Sequence, residues 1–324
     1  MSGDARALHG WLILDKPLGL GSTRAVSAVK RALRTGGYAK VKVGHGGTLD
    51  PLATGVLPVA LGEATKLSGR MLDADKAYAF TIRFGAQTDT LDLEGAVVAV
   101  SDVRPARAQV EAVLPRFTGP IEQVPPAYSA LKVDGQRAYD RARAGEAVVL
   151  ATRAVTVHEL RVRHPGGPGA PACAAPPPAE GPGVRRGDDP LEEITLLAKV
   201  SKGTYVRSLA RDIAQALGSV GHVTMLRRIK AGPFALDRAI SLDKLAELAN
   251  GRALEQALLP LTAGLDDIPA LSVTPDQARL LRMGQRVIGS SAVQGLQLAI
   301  DRAVPVALVE VEGPEIRVVR GINL

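Results

Sequence analysis

The sequence predicts an α+β fold, with a mixed or antiparallel sheet, helices, and a small barrel-like module at the C-terminus. Three observations lead there. Strand-length apolar runs and amphipathic helical runs succeed one another without strict β–α–β alternation. Clusters of Gly, Pro, Asn and Asp separate them at short intervals. The sequence also changes character at Asp266-Asp267-Ile268-Pro269, and the stretch from there to Leu324 is long enough to fold semi-independently. Residues 1–265 are therefore read as one domain and 266–324 as a second.

The elements come in this order. Gly10-Trp11-Leu12-Ile13-Leu14-Asp15 reads as a buried strand, broken by Lys16-Pro17-Leu18-Gly19. Ser22 or Thr23 then caps a helix with Val26, Val29 and Leu33 on one face. After a glycine-rich loop, Val56 to Leu61 reads as a strand and Glu63 to Leu72 as a short helix. Lys76 to Phe84 alternates like a half-buried strand, with Tyr78, Phe80, Ile82 and Phe84 sharing one face. A strand at Ala96 to Val100 and a helix at Pro105 to Phe117 come next. Tyr128 to Val133 reads as a strand turning at Asp134-Gly135, followed by a helix from Gln136 to Ala144. Arg153 to Arg163 and Glu192 to Val200 read as two antiparallel strands. The stretch between them, about 165–190, is dominated by Pro, Gly and Ala and is expected to be a disordered hairpin loop. Beyond Lys202-Gly203-Thr204 come a helix from Tyr205 to Leu217, a strand from His222 to Ile229 and a helix from Ser241 to Leu259. The C-terminal module reads as one helix, Pro275 to Met283, and three short strands with turns near Arg302 and Gly313.

Composition narrows the class. Apolar residues make up 46% of the 324 and aromatics only 3%, so Leu, Val, Ile and Ala must build the core. No run of about 18 apolar residues is present, so no spanning helix is expected. Met1 to Gly10 lacks the apolar stretch of a secretory signal. The single cysteine, Cys173, cannot form an internal disulfide, and a cytoplasmic location is expected. The net charge is +7, and it is concentrated. Residues 1–50 hold eight Lys/Arg against three Asp/Glu, and residues 195–240 hold eight against two. Two basic segments on one chain point to a polyanionic partner, against the plainer reading of solvated faces. The C-terminal module, with six Arg against seven acids, is not itself basic.

Gly44-His45-Gly46-Gly47-Thr48-Leu49-Asp50-Pro51-Leu52-Ala53-Thr54-Gly55 carries the most chemistry. It suits neither helix nor strand, and Asp50 is its only carboxylate. It reads either as a rigid loop presenting one acid or as an ordinary Asp-Pro turn. Competing chemistries lack their signatures. No G-x-G-x-x-G or G-x-x-x-x-G-K-[ST] is present, the five histidines are scattered, and neither H-E-x-x-H nor C-x-x-C occurs. A lone carboxylate can act as a nucleophile if a cation keeps it ionised in a dry pocket. Arg207, at a helix start after a Gly turn, is the natural candidate for that cation; on the residues alone an ordinary surface arginine is the plainer reading.

Seven segments in order then carry a family resemblance. They are Leu14-Asp15-Lys16-Pro17 with Gly19, the loop 44–55, Gly62-Glu63-Ala64-Thr65-Lys66, Lys76-Ala77-Tyr78, and Gln123-Val124-Pro125-Pro126 with Tyr128-Ser129-Ala130-Leu131-Lys132. Ser201-Lys202-Gly203-Thr204-Tyr205-Val206-Arg207 and Leu226-Arg227-Arg228 complete the set. Over nearly its full length the chain resembles the TruB family, bacterial tRNA pseudouridine synthases that modify uridine 55 of the T loop. The resemblance implies a pseudouridine synthase catalytic domain and a PUA-type RNA-binding module. It implies Asp50 as the catalytic aspartate, Arg207 as its paired arginine, and Tyr78 as the tyrosine stacked on the target base. It further implies His45 in contact with the flipped-out nucleotide, Tyr205 and Leu226 lining the uracil pocket, and Lys16 and Pro17 buttressing the catalytic loop. The implied substrate is the T arm of tRNA, bound by a monomer without membrane, metal, cofactor or obligate protein partner. An RNA-folding protein with incidental catalysis and a guide-RNA-dependent enzyme acting on ribosomal RNA are the competing readings.

Overall fold

The computed structural model describes residues 6–129, 131–133, 135–146, 150–163, 189–289 and 293–324. In chain order the elements are β1 (Gly10–Lys16), α1 (Ser22–Thr35), β2 (Val43–His45), β3 (Ala53–Leu61), α2 (Ser68–Asp73), β4 (Lys76–Phe84), β5 (Ala86–Thr88) and β6 (Val97–Val100). Then come α3 (Arg107–Val113), β7 (Gly119–Gln123), β8 (Lys132–Val133), β9 (Gln136–Arg137), α4 (Ala138–Arg143), β10 (Arg153–Val162) and β11 (Glu193–Val200). The chain continues through α5 (Val206–Ala216), β12 (Gly221–Ala231), β13 (Phe234–Ala235), α6 (Leu242–Asn250) and β14 (Leu258–Leu259). It ends with β15 (Ala270–Ser272), α7 (Pro275–Arg282), β16 (Val287–Ile288), β17 (Gly295–Asp301), β18 (Val304–Glu312) and β19 (Glu315–Gly321). The α+β class holds. No helix among the described residues is long and apolar enough to cross a membrane.

The chain forms two compact units. The first combines Met1–Leu49, Leu57–Leu72 and Gly232–Leu324; the second combines Asp50–Val56 and Asp73–Ala231. In the first, β1 runs antiparallel to β14 and β2 antiparallel to the end of β3. Trp11 is fully buried, its Nε1 donates to the Leu261 carbonyl at 3.2 Å, and its ring packs on Phe234 with centroids 5.3 Å apart. The C-terminal strands of this unit curl into a sheet ordered β15-β17-β18-β19-β16. Its own core joins Ala278 and Leu281 of α7 to Val306, Val309, Val311 and Ile316. Five strands stand where three were expected, because β15 and β16 are three and two residues long, too short for alternation to show.

In the second unit the strand order is β3-β12-β4-β11-β10-β7. β3 and β12 are parallel and the other pairs antiparallel, so the sheet is mixed. The expected β10–β11 pairing is present. The stretch that joins them, expected as a hairpin loop at 165–190, lies almost wholly outside the described residues. β4 departs from expectation: Ala79 and Thr81 are buried along with Phe80 and Ile82. A strand flanked by β11 and β12 and covered on both faces does not alternate. β7 carried no strand signal because Pro120 interrupts it; it ends the order, where a missing N–H donor is tolerated.

Other boundaries shift for local reasons. Gly21 is the N-cap of α1, while the Ser22 hydroxyl is bound to the Leu49 backbone at 2.9 Å on both sides, accepting from its N–H and donating to its carbonyl. Residues 62–67 form a 3₁₀ turn before α2, closed by Thr65 Oγ1 on the Gly62 carbonyl. The expected helix from Ser241 to Leu259 stops at Asn250-Gly251, a helix-ending pair, and Leu258 and Leu259 pair with β1 instead. The strand expected over Tyr128 to Val133 begins only at Lys132, and the helix expected from Gln136 begins at Ala138. Asp134 of the expected turn lies outside the described residues.

Candidate active site

Strand register assembles the site in the second unit. On β12, Leu226 stands opposite Ala53 of β3 and opposite Phe80 of β4; Arg228 stands opposite Gly55 and Tyr78. The row that carries Leu226 therefore adjoins the Asp50 turn, and Tyr78 lies two rows further on. That close approach requires Gly55. It has φ +102°, and a Cβ there would fall 2.2 Å from the Arg228 carbonyl oxygen. Arg228, only 1% exposed, donates from Nε to the Val56 carbonyl at 2.7 Å and locks the two strands.

Asp50 opens a turn, with the Ala53 N–H donating to the Asp50 carbonyl at 3.0 Å. Pro51 occupies the second position, where its fixed φ is favoured. The turn reading of this loop is thus met. Gly47, at φ +125°, also needs its missing side chain. Upstream, Ser22 holds the residue next to Asp50 by both of its backbone groups.

Arg207 is the second residue of α5 and is buried. Its Nη2 lies 2.9 Å from Asp50 Oδ2 and donates to the Tyr128 carbonyl at 3.1 Å. Its Nη1 donates to Asp92 Oδ2 at 3.2 Å and to the Thr90 carbonyl at 3.0 Å. The surface arginine reading is therefore wrong. The guanidinium's side chain is 8% exposed, whereas the Asp50 side chain is 41% exposed. Among the described residues no dry pocket encloses Asp50 as expected: the cation is buried and the carboxylate is partly open. Among the described residues the second Asp50 oxygen makes no hydrogen bond.

Asp92 was missed by the sequence reading. It sits in Thr88-Asp89-Thr90-Leu91-Asp92, a segment of turn-forming types whose alternating Thr and Asp were the available signal. Its Oδ1 accepts from Thr90 Oγ1 at 2.6 Å and from the Glu94 N–H at 3.1 Å. Leu91 between them is held at φ +63°, a left-handed conformation that costs a leucine about 1–2 kcal/mol. Gln123 was also missed. Its Oε1 accepts the Tyr205 N–H at 2.8 Å and so fixes the start of α5. Tyr205 is half-buried, and burial pushes its phenol above the ordinary value, with the Asp50 carboxylate adding to the rise and the Arg207 guanidinium opposing it.

Asp50, Arg207, Tyr78, Tyr205 and Leu226 all belong to the second unit. His45, Lys16 and Pro17 belong to the first. His45 ends β2 opposite Val59. Lys16 is fully buried, and its ammonium donates to the Pro17 and Leu20 carbonyls at 3.0 and 2.7 Å, which ties down the turn after β1.

Comparison with known proteins places the chain. The family described as TruB family pseudouridylate synthase (N terminal domain) matches residues 30–206, and the tRNA pseudouridylate synthase B C-terminal domain matches 207–266. The tRNA pseudouridine synthase B of Zymomonas mobilis is 58% identical over 317 residues, covering 98% of this chain and 97% of that protein. That of Novosphingobium aromaticivorans is 60% identical over 318 residues, covering 98% of both. A solved H/ACA ribonucleoprotein bound to a substrate RNA containing 2′-deoxyuridine shares the fold. Its TM-score is 0.66 at 22% identity, over 98% of this chain and 86% of that one. The chain belongs to the TruB family of pseudouridylate synthases.

Proposed function

We propose that the chain isomerises uridine 55 in the T loop of tRNA to pseudouridine, with Asp50 as nucleophile. The observation that carries this is the division of labour on Arg207. One side of a buried guanidinium is committed to Asp92 and Thr90, the other holds one oxygen of Asp50 at 2.9 Å, and the second Asp50 oxygen is left open. A guanidinium cannot lose its proton, so a fixed positive charge stands 2.9 Å from the Asp50 carboxylate. Fixing it by three groups besides Asp50 means that no reorganisation is needed when the substrate arrives.

Pseudouridine formation breaks the N1–C1′ bond, turns the uracil, and forms a C5–C1′ bond, with the C5 proton lost and one gained at N1. No net electron or external group enters, so the protein must supply a nucleophile and hold the base. The base has to leave its stack, which costs a few kcal/mol. Tyr78 recovers about 1–3 kcal/mol by stacking on it. Tyr205 and Leu226 line the uracil pocket, His45 contacts the extruded nucleotide, and Lys16 and Pro17 buttress the loop. The extruded base itself then shields Asp50 from water, since the free protein leaves it open. We read the substrate contact as the T arm, and the enzyme as a cytoplasmic monomer acting without a guide RNA or obligate protein partner.

The test is incubation of the purified chain with an unmodified tRNA transcript, followed by mapping of pseudouridine through base-specific chemical labelling. A single modified position, 55, is expected with no added RNA or protein. Modification elsewhere, or only when a guide RNA is supplied, overturns the reading.

A further inference from the structure

Helix α1 has two faces. Ala25, Val26, Val29, Ala32 and Leu33 are buried, whereas Arg24, Lys30, Arg31 and Arg34 are exposed. At 100° per residue the four cations occupy an arc of about 120°. The helix contains no Asp or Glu. Lys40 and Lys42, also exposed, continue the charge where the chain leaves α1. None of these six side chains has a hydrogen bond or ion pair among the described residues. Helix α6 packs beside α1, and its Glu247 is already taken by Lys244 at 2.6 Å. Asp243 of α6 makes no ion pair among the described residues, so neither acid of α6 is paired with the patch. Some other cations of the same unit are paired, as with Arg70 on Asp267 at 2.7 Å and Lys66 on Glu63 at 2.7 Å.

Unpaired like charges along one helix repel one another unless a counter-charge meets them. The span from residue 24 to residue 34 is about 15 Å. One nucleic-acid strand in a duplex presents a phosphate about every 3.4 Å of axis, so that span faces about four phosphates. Three of the four cations are Arg, whose planar fork suits phosphate oxygens.

We propose that the outer face of α1, extended by Lys40 and Lys42, binds the phosphate backbone of the RNA substrate and supplies affinity without taking part in the chemistry. The inference rests on the RNA-substrate reading above and adds a surface to it. Its test compares the full-length wild type with a variant carrying Arg24→Gln, Lys30→Gln, Arg31→Gln and Arg34→Gln, and with a charge-retaining variant in which the three arginines become lysine. Each is titrated with unmodified tRNA transcript across a salt series and assayed at saturating tRNA, and unchanged melting temperatures verify folding.

The neutralised variant is expected to bind at least tenfold more weakly near 0.1 M salt. Its slope of log K against log salt should flatten by about 3, with kcat unchanged and the charge-retaining variant close to wild type. Wild-type affinity and slope in the neutralised variant would overturn the proposal. So would tRNA binding that is unaffected while binding to anionic phospholipid vesicles is lost. A wild type that makes no pseudouridine yet binds tRNA through these charges would sink the functional reading and leave the surface standing.

Discussion

Arg207 is the residue on which the site turns, because two carboxylates and two backbone carbonyls share one guanidinium. Asp92 is the more buried acid, its side chain 10% exposed against 41% for Asp50. Asp92 therefore holds the cation, and in the proposed mechanism Asp50 uses it. Asp92→Asn is expected to lower kcat about a hundredfold with little change in KM for tRNA, since a displacement of about 1 Å at the reacting groups has that effect. Steady-state kinetics check this, and a variant with wild-type kcat would remove Asp92 from the site. The acid was legible in the sequence as the one carboxylate of a glycine-shaped loop, and Arg207 as a candidate partner at a helix start, which the family resemblance then singled out. Burial of Arg207 was not legible, because its other ligands come from Thr90, Asp92 and Tyr128, all remote in sequence. Asp92 hid in a segment whose composition is that of any polar turn.

At the scale of elements, the register of β3 on β12 depends on a missing side chain. Gly55→Ala combines φ +102° with a Cβ 2.2 Å from a backbone oxygen that cannot move aside. It is expected to destabilise by about 1–3 kcal/mol or more and to reduce activity by shifting the Asp50 turn. Denaturant unfolding and kcat measure both, and an unperturbed variant would mean that the strands are not locked here. At the start of β4, Lys76 is 9% exposed with its ammonium on the Ala74 carbonyl at 2.6 Å. Burial, with the nearby Arg228 adding to it, lowers its pKa from 10.5 to about 8. Between pH 8 and 10.5 the unfolded chain therefore binds more protons at this lysine than the folded one. Its contribution to stability rises with pH across that window, and the penalty is complete below it. On going from pH 7.5 to 9.5 the wild type should gain stability relative to Lys76→Met; a constant difference between the two would contradict the burial of a charged amine. The longer strands, β1, β4, β10, β11 and β12, were readable because each holds an apolar pattern over several residues. β2, β14, β15 and β16 were not, since two or three residues carry no period and their pairing partners alone define them.

At the scale of the whole molecule, the last residues of the chain tie the first unit together. Lys66 donates to the Gly321 carbonyl at 2.9 Å, and the Asn323 N–H donates to Glu63 Oε2 at 2.7 Å. Ile322 between them is 1% exposed and its N–H donates to the Val306 carbonyl. The segment Gly62-Glu63-Ala64-Thr65-Lys66, read in the sequence as the start of a short helix and as part of the resemblance, thus also anchors the C-terminal strand. Burial tends to raise the Glu63 carboxyl, but the Lys66 ammonium and the Asn323 N–H outweigh it and hold the pKa below the ordinary value. Removing residues 322–324 is expected to lower the melting temperature by about 5 °C, as loss of a buried Ile from a chain of this size should; an unchanged thermal melt would show that the tail is not anchored.

The most direct measurement on the molecule as a catalyst is single-turnover pseudouridine formation by Asp50→Asn with unmodified tRNA, read beside its tRNA Kd. Affinity within about threefold of wild type with no detectable product is the expected result. Product formed at a measurable rate by a correctly folded Asp50→Asn protein would contradict the assignment of Asp50 as the nucleophile.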